Sequence, residues 1–170
     1  FLGMLLHEEA GKFDTGSLRL CITGGSSMPP QYMPAFSKKF GCVLTEGYGL
    51  TEASPVCTVG RLSMPIKPGS IGTAIPGVEV KVFDASGREV PTGQVGELVV
   101  KGVNVMKGYY KDTEATERVM KNGWLHTGDL ARIDEAGYVF LTGRIKRMII
   151  TSGFNVYPRE VEMILDMHPA

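Results

Sequence analysis

The sequence predicts an α/β unit followed by a section of antiparallel β structure. Two observations carry this prediction. The short apolar run LRLCIT, from Leu18 to Thr23, precedes a segment bounded by helix start and stop signals. After about Gly60, glycine and proline become frequent and short strand patterns follow one another. The chain of 170 residues, of which 43% are hydrophobic, is long enough to bury a core.

The first unit is predicted to be strand, helix, strand. The helix lies in SSMPPQYMPAFSKKFG, where serines cap its start, prolines occupy its first turn and Gly41 follows its end. Cys42 to Thr45 then predicts a second strand. This order is the unit of a parallel sheet.

The middle section is predicted to be antiparallel and barrel-like. VEVKVF, from Val78 to Phe83, alternates apolar and charged residues as a half-buried strand does. GELVVKG is the next strand, and Asp112 caps a short helix that ends near Asn122. ARIDEAGYVFLTG predicts a hairpin with DEAG at its turn.

The character of the sequence changes again near Gly143. GRIKRMIITSGFNVYPREVEMIL begins with basic residues, continues as an apolar strand, turns at Ser152 and Gly153, and enters a helix at Pro158. The apolar face of that helix is predicted to contain Val161, Ile164 and Leu165.

The amino-acid composition limits the classes of binding partner and the cellular compartment that we expect. Eighteen Lys and Arg residues balance 18 Asp and Glu residues, so no strong field favours nucleic acid or an anionic membrane surface. Three cysteines without metal-ligand spacing suggest reduced thiols in a cytosolic protein. No membrane-length apolar run or signal peptide is visible. The chain starts at Phe1 and stops within a helical pattern, so we expect part of a longer protein.

The stretch TEGYGLTEASP combines groups that suit a nucleotide with its metal. Glycines let a ligand approach the backbone, and the Tyr48 ring offers a flat apolar face. The Thr51 hydroxyl can bond an oxyanion, and the Glu52 carboxylate can hold magnesium. The alternative is a strand end and a glycine-rich turn without a ligand.

Motifs in a fixed order resolve this alternative. TGGSSMP, EGYGLTEASP, GWLHTGDL and GRIKRMIITSGFNVYPREVE together resemble the adenylate-forming (AMP-binding) superfamily, most closely its long- and medium-chain fatty-acyl-CoA synthetases. The resemblance covers nearly the whole chain from Leu18. It implies the C-terminal part of the large domain of that fold, with residues 1–60 ending its α/β subdomain and 61–145 forming a β-rich subdomain. Residues 146–170 would begin the small C-terminal lid domain.

The resemblance also implies roles for individual residues. The adenine would lie against Tyr48, the α-phosphate would meet Thr51, and Glu52 would bind the magnesium of ATP. Asp129 would hold the ribose hydroxyls, with Arg144 reaching the same sugar. Taken singly, Asp129 is more often a turn residue that caps backbone amides, and Arg144 is usually part of a solvated basic edge.

Further positions follow from the same resemblance. Lys146 would be the hinge of the lid, while Ser152 and Gly153 would flank the tunnel for the pantetheine of coenzyme A. The positions beside the adenine and the acyl group would be Gly25, Ser26, Glu46 and Gly47.

The implied activity is that of an ATP-dependent acid–thiol ligase. It joins a fatty or other carboxylic acid to coenzyme A, uses ATP and Mg²⁺, and releases AMP and pyrophosphate. The family's phosphate loop and C-terminal catalytic lysine are not found in this sequence, and Ile150 stands where some relatives carry another lysine. The chain alone is therefore expected to be inactive.

Two other functions stay open from the sequence. One is an adenylation domain that loads a carrier protein, and the other is a non-catalytic β-rich binding module with the same fold. The resemblance further implies a cytoplasmic protein without nucleic-acid partners, with membrane contact that is at most peripheral and with room for a homodimer.

Overall fold

A computed structural model describes residues 1–26, 28–29, 31–151 and 154–165. The helices are α1 (Leu2–Leu6), α2 (Tyr32–Phe40), α3 (Thr113–Val119) and α4 (Pro158–Leu165). The strands are β1 (Leu20–Thr23), β2 (Val43–Gly49), β3 (Val56–Val59), β4 (Thr73–Ala74), β5 (Val78–Phe83), β6 (Gly96–Gly102), β7 (Met120–Lys121), β8 (Trp124–Ile133), β9 (Val139–Arg144), β10 (Ile149–Thr151) and β11 (Phe154–Val156). Short 3-10 helices occur at Glu8–Lys12, Thr51–Ala53 and Ile145–Arg147.

The first unit confirms the predicted parallel pair. β1 and β2 are parallel with α2 between them, and the sheet has the order β1-β2-β3-β4. One face of α2 places Met33, Phe36 and Phe40 in a buried cluster with Leu44 of β2. The rings of Phe36 and Phe40 lie 4.5 Å apart between centroids. This packing fixes the end of β2 that leads to Tyr48.

The predicted serine cap of α2 is wrong. The helix begins after Gln31, whose side chain makes no capping hydrogen bond. Met28 and Pro29 each precede a proline in the sequence, and a residue before proline is disfavoured in helical conformation. The helix therefore starts later than the serines. Its predicted end is confirmed, because Gly41 adopts a left-handed φ of 65°.

The middle section is antiparallel, as predicted. β5, β6, β8 and β7 form a sheet in that order, and β9 pairs with β8 across the predicted DEAG turn. Asp112 accepts a hydrogen bond from the amide of Ala115 and caps α3. The strand pairs that the structure describes form an open sheet, and none of them closes a barrel.

A short backbone bridge joins the two sheets. The amide of Ile71 donates to the carbonyl of Val139 at 3.0 Å, and the amide of Val139 donates to the carbonyl of Gly72 at 2.9 Å. The Thr58 hydroxyl donates to the Ile71 carbonyl at 2.7 Å. Gly72 has a φ of +83°, and a Cβ there would overlap the backbone of Val59. We call Ile71 and Gly72 the sheet junction; it holds β3 and β9 together.

The last section contains the antiparallel pair β10 and β11 and the helix α4, which begins at Pro158 as predicted. The predicted turn at Ser152 and Gly153 lies outside the described residues. Three apolar residues of α4 are exposed: Val161, Ile164 and Leu165. The domain boundaries at 60/61 and 145/146 stay predictions.

The three cysteines are free thiols: Cys21, Cys42 and Cys57. Burial raises the pKa of Cys57 to about 11, so this thiol stays protonated and packs as an apolar group. Within the described residues, no helix combines the length and apolar character that crossing a membrane requires.

Candidate functional site

A cleft of about 600 Å³ lies between the loop after β1, the end of β2, the middle of β8, the end of β9 and α4. These positions are far apart in sequence, and the parallel pair and the hairpin bring them together. Seven predicted site residues line the cleft: Gly25, Ser26, Glu46, Gly47, Tyr48, Asp129 and Arg144.

The glycines around Tyr48 have separate physical reasons. A Cβ on Gly47 would lie 3.3 Å from the carbonyl oxygen of Thr58 on β3, a tight approach. A Cβ on Gly49 would overlap the carbonyl oxygen of Pro55. That oxygen accepts the Leu50 amide at 2.8 Å. The flanking glycines thus let β2 turn sharply while Tyr48 stays in the cleft wall.

Glu46 is a buried carboxylate at the same end of β2, with 2% of its surface exposed. Its Oε1 accepts the backbone amide of Met28 at 3.1 Å. The contact ties the loop after β1 to β2, and so holds the loop that contains Gly25 and Ser26 against the cleft.

Asp129 is the central charge of the cleft. Its Oδ2 accepts the Tyr48 hydroxyl at 2.6 Å, and its Oδ1 accepts Nε of Arg144 at 2.8 Å. Only 6% of Asp129 is exposed, while the Arg144 side chain is 67% exposed. Burial, followed by the hydrogen bond to Asp129, raises the pKa of Tyr48, so its hydroxyl is a neutral donor. We call these three residues the carboxylate clamp.

The clamp decides against a turn-capping role for Asp129. In the described part of the chain, the hydrogen bonds to its carboxylate come from side chains of β2 and β9. The amide of Asp129 itself donates to the Thr127 hydroxyl at 3.1 Å. The carboxylate therefore faces the cleft instead of its own turn.

Glu97 of β6 shapes the strand segment that presents Asp129, and sequence reasoning missed it. Its Oε1 accepts the Gly128 amide at 3.0 Å, and its Oε2 lies 2.7 Å from Nδ1 of His126. The β6–β8 register shifts beside Glu97, and Gly128 has a φ of 73°. Glu97 thus stabilises a bulge of β8.

Thr51 and Glu52 lie beyond the cleft lining, in the short 3-10 helix Thr51–Ala53. Gly49, two residues earlier, does line the cleft. Thr51 is exposed, and Glu52 is partly buried with its Oε1 accepting the Tyr109 hydroxyl at 2.7 Å. Neither side chain is among the residues that line the cleft.

The donor set fits magnesium carried by a nucleotide. Among the described residues, no group of three His, Cys, Asp or Glu side chains could hold a metal ion. Mg²⁺ is usually bound through one or two carboxylates together with water and substrate phosphates. Glu52, a single carboxylate in the turn after β2, suits that mode.

The structure places Lys146 away from the cleft lining. Lys146 is exposed in the 3-10 helix Ile145–Arg147, between β9 and β10. Its neighbour Arg147 does line the cleft. Ser152 and Gly153 lie outside the described residues, so their roles stay predictions.

Several lining residues were not anticipated. Arg147 belongs to the same basic segment as Arg144, so its charge was a usable signal. Ile71 and Leu141 had no signal, since they reach the cleft only through sheet packing. The full set of unanticipated lining residues is Gly49, Ile71, Leu141, Gly143, Arg147, Pro158 and Glu162.

The sequence of this chain is similar to those of curated long-chain-fatty-acid–CoA ligases. The chain is 46% identical to a long-chain-fatty-acid–CoA ligase of Escherichia coli O6:H1, over 99% of the chain and 30% of the relative. It is 40% identical to the enzyme of the same name from Bacillus subtilis, over 100% of the chain and 30% of the relative. The chain thus spans about a third of the length of the relatives it matches.

Two solved structures contain a region with the same fold as this chain. ATP-bound MatB from Rhodopseudomonas palustris superposes with a TM-score of 0.91 at 40% identity, over 97% of this chain and 33% of that chain. A benzoate CoA ligase from Burkholderia xenovorans LB400 gives 0.86 at 28% identity, over 98% and 33%. The sequence profile described as AMP-binding enzyme matches residues 1–110. With its cleft, its carboxylate clamp and these relatives, the chain belongs to the AMP-binding enzyme family.

Proposed function

We propose that this chain supplies part of the nucleotide site of a longer, AMP-forming ligase that joins long-chain fatty acids to coenzyme A. The carboxylate clamp is the observation that carries the proposal. A buried carboxylate that faces a cleft can accept hydrogen bonds from the hydroxyls of a ribose. The aromatic ring beside it can stack on the base of the same nucleoside. The names of the relatives support the fatty-acid and coenzyme A substrates.

Each part of the clamp would meet a different part of the nucleotide. The adenine stacks on the Tyr48 ring, and the ribose hydroxyls donate hydrogen bonds to Asp129. A hydrogen bond to a charged acceptor is stronger than a neutral one. Tyr48 and Arg144 keep the carboxylate oriented before the nucleotide arrives, which lowers the cost of ordering the site.

The reaction then depends on position and charge. The fatty-acid carboxylate attacks the α-phosphorus, pyrophosphate leaves, and an acyl adenylate forms; the thiol of coenzyme A displaces AMP. The Thr51 hydroxyl would donate to an α-phosphate oxygen, and Glu52 would hold the cation. Bound Mg²⁺ supplies neutralisation of the phosphate charge. Positioning and preorganised charge account for most of such catalysis.

The test uses the full-length protein in which this chain lies. Incubated with ATP, Mg²⁺ and a long-chain fatty acid, it is expected to exchange labelled pyrophosphate into ATP, and with coenzyme A to release AMP and a thioester. Fatty-acid-dependent exchange without a coenzyme A thioester would instead favour a carrier protein as acceptor. A folded protein that exchanges nothing with any carboxylic acid would contradict the proposal. Cytoplasmic location, a homodimer and peripheral membrane contact stay predictions.

Lys146 gives a prediction about the two half-reactions. Lys146 is exposed between two strands, as a hinge requires. Proline at this position fixes φ and disfavours the helical conformation of the preceding Ile145. In the full-length protein, Lys146→Pro is expected to retain either pyrophosphate exchange or thioester formation from supplied acyl adenylate, but not both.

The control is Lys146→Ala, which removes the side chain and leaves the backbone free. It is expected to keep both half-reactions if the backbone of Lys146 is what matters. Equal losses of both half-reactions in a well-folded Lys146→Pro protein, or no loss at all, would remove the hinge assignment.

A further inference from the structure

The loop that follows β6 is fastened to the turn that carries Glu52. Nδ2 of Asn104 donates to the carbonyls of Ala53 and Val56, each at 2.8 Å. The amide of Met106 donates to the carbonyl of Glu52 at 2.8 Å. These bonds come from a part of the chain about 50 residues further on, and they fix the backbone at Glu52 and after it.

The same loop also reaches the Glu52 side chain. The Tyr109 hydroxyl donates to Oε1 of Glu52 at 2.7 Å. Tyr109 is itself held, because its amide donates to the Thr116 hydroxyl on α3 at 2.8 Å and it forms a β-bridge with Asp112. Because Tyr109 is held in place, its hydroxyl can restrain the carboxylate of Glu52. Glu52 is therefore restrained at both its backbone and its carboxylate.

This arrangement leaves one carboxylate oxygen available. Oε1 accepts the Tyr109 hydroxyl, while Oε2 receives no hydrogen bond from any residue the structure describes. A glutamate side chain loses much rotamer freedom when it is ordered, and a carboxylate already ordered does not lose it again on binding. The free oxygen of an anchored carboxylate is suited to monodentate contact with a hard cation.

We propose that Tyr109 is a positioning residue that holds Glu52 ready for the divalent cation of the bound nucleotide. The inference rests on the proposed function, in which Glu52 contacts that cation. Hydrogen-bond partners of metal ligands are typically worth about 10- to 100-fold in metal affinity. Tyr109 then links the loop after β6 to the phosphate end of the nucleotide.

The experiment compares variants of the full-length protein: Tyr109→Phe, Glu52→Gln, the double variant, and Tyr110→Phe as control. Tyr110 is the adjacent tyrosine, is 88% exposed and makes no hydrogen bond in the described structure. Isothermal titration measures the affinity for a non-hydrolysable ATP analogue, once with excess Mg²⁺ and once with EDTA. The ratio of the affinities is the gain due to the cation, and it needs no turnover.

Tyr109→Phe is expected to reduce the gain from Mg²⁺ by about 10-fold and to leave the affinity in EDTA unchanged. The double variant is expected to lose no more of the gain than Glu52→Gln alone, since both changes act on one contact. Tyr110→Phe is expected to match the wild-type protein. Each substitution nearly preserves the shape of the side chain that it replaces. All variants are therefore expected to have similar melting temperatures.

Other outcomes separate the positioning role of Tyr109 from the metal role of Glu52. If Glu52→Gln lowers the gain and Tyr109→Phe does not, the positioning role is overturned and the metal role of Glu52 stands. An equal loss in EDTA and in Mg²⁺ for Tyr109→Phe also overturns it, because the contact would then serve only the fold. If Glu52→Gln leaves the gain intact, the metal assignment in the proposed function fails as well.

Discussion

Replacing Asp129 by alanine in the full-length protein is expected to lower kcat/KM for ATP by about 30- to 1000-fold, or roughly 2–4 kcal/mol of transition-state stabilisation. The change removes the buried carboxylate that we propose accepts the ribose hydroxyls. It also leaves the Tyr48 hydroxyl and the Arg144 guanidinium without the partner that they share. Steady-state kinetics at varied ATP, with the fatty acid and coenzyme A saturating, measure the loss.

Asp134 supplies a matched control, because it is an aspartate with a turn-capping role. Its Oδ1 accepts the amides of Ala136 and Tyr138 in the β8–β9 turn, and its Oδ2 pairs with Lys67. Asp134→Ala is expected to lower the melting temperature and leave the ATP dependence nearly normal. The same pattern in Asp129→Ala would mean that the clamp serves only the fold, and would remove it from the proposed nucleotide site.

Gly72→Ala is expected to destabilise the protein by about 3 kcal/mol or more, and to give little soluble material. The φ of +83° disfavours any side chain, and the added Cβ would overlap the backbone of Val59, which has no freedom to move away. The junction between the sheets would have to open. Melting temperature and soluble yield of the full-length protein measure the effect.

Gly87→Ala separates strain from overlap. Gly87 has a similar φ of +78°, but a Cβ there would meet nothing within 4 Å. Its replacement is expected to cost only the backbone strain, about 1–2 kcal/mol. Similar losses at the two glycines would mean that the crowding at Gly72 relaxes, and that the junction is not rigid.

Local patterns in the sequence predicted the elements that depend on local physics. Alternation of apolar and charged residues located β5, and glycine located the end of α2. The start of α2 was predicted wrongly because two adjacent prolines restrict the residues before them more than serines favour a cap. The motifs, through the family resemblance, identified half of the residues that line the cleft.

Long-range contacts were beyond sequence reasoning. Glu97 was read only as part of a strand, yet its carboxylate shapes the bulge before Asp129 from the neighbouring strand. The hydrogen bond from Tyr109 to Glu52 spans 57 positions in the sequence. Ile71 enters the cleft because its backbone bridges two sheets. Such contacts depend on how strands are placed beside one another, which no short window of sequence encodes.

The sheet junction has a consequence for measuring the state of the cleft. Tyr48 belongs to the first sheet and Asp129 to the second, so the cleft walls stay in register only while the sheets remain joined. The amides of Ile71 and Val139 are both donors in that joint. Their exchange with deuterated solvent requires the joint to break. The exchange rates of these two amides therefore report how often the two walls of the cleft separate. A nucleotide that contacts both walls is expected to slow this exchange without a hydrogen bond to either amide.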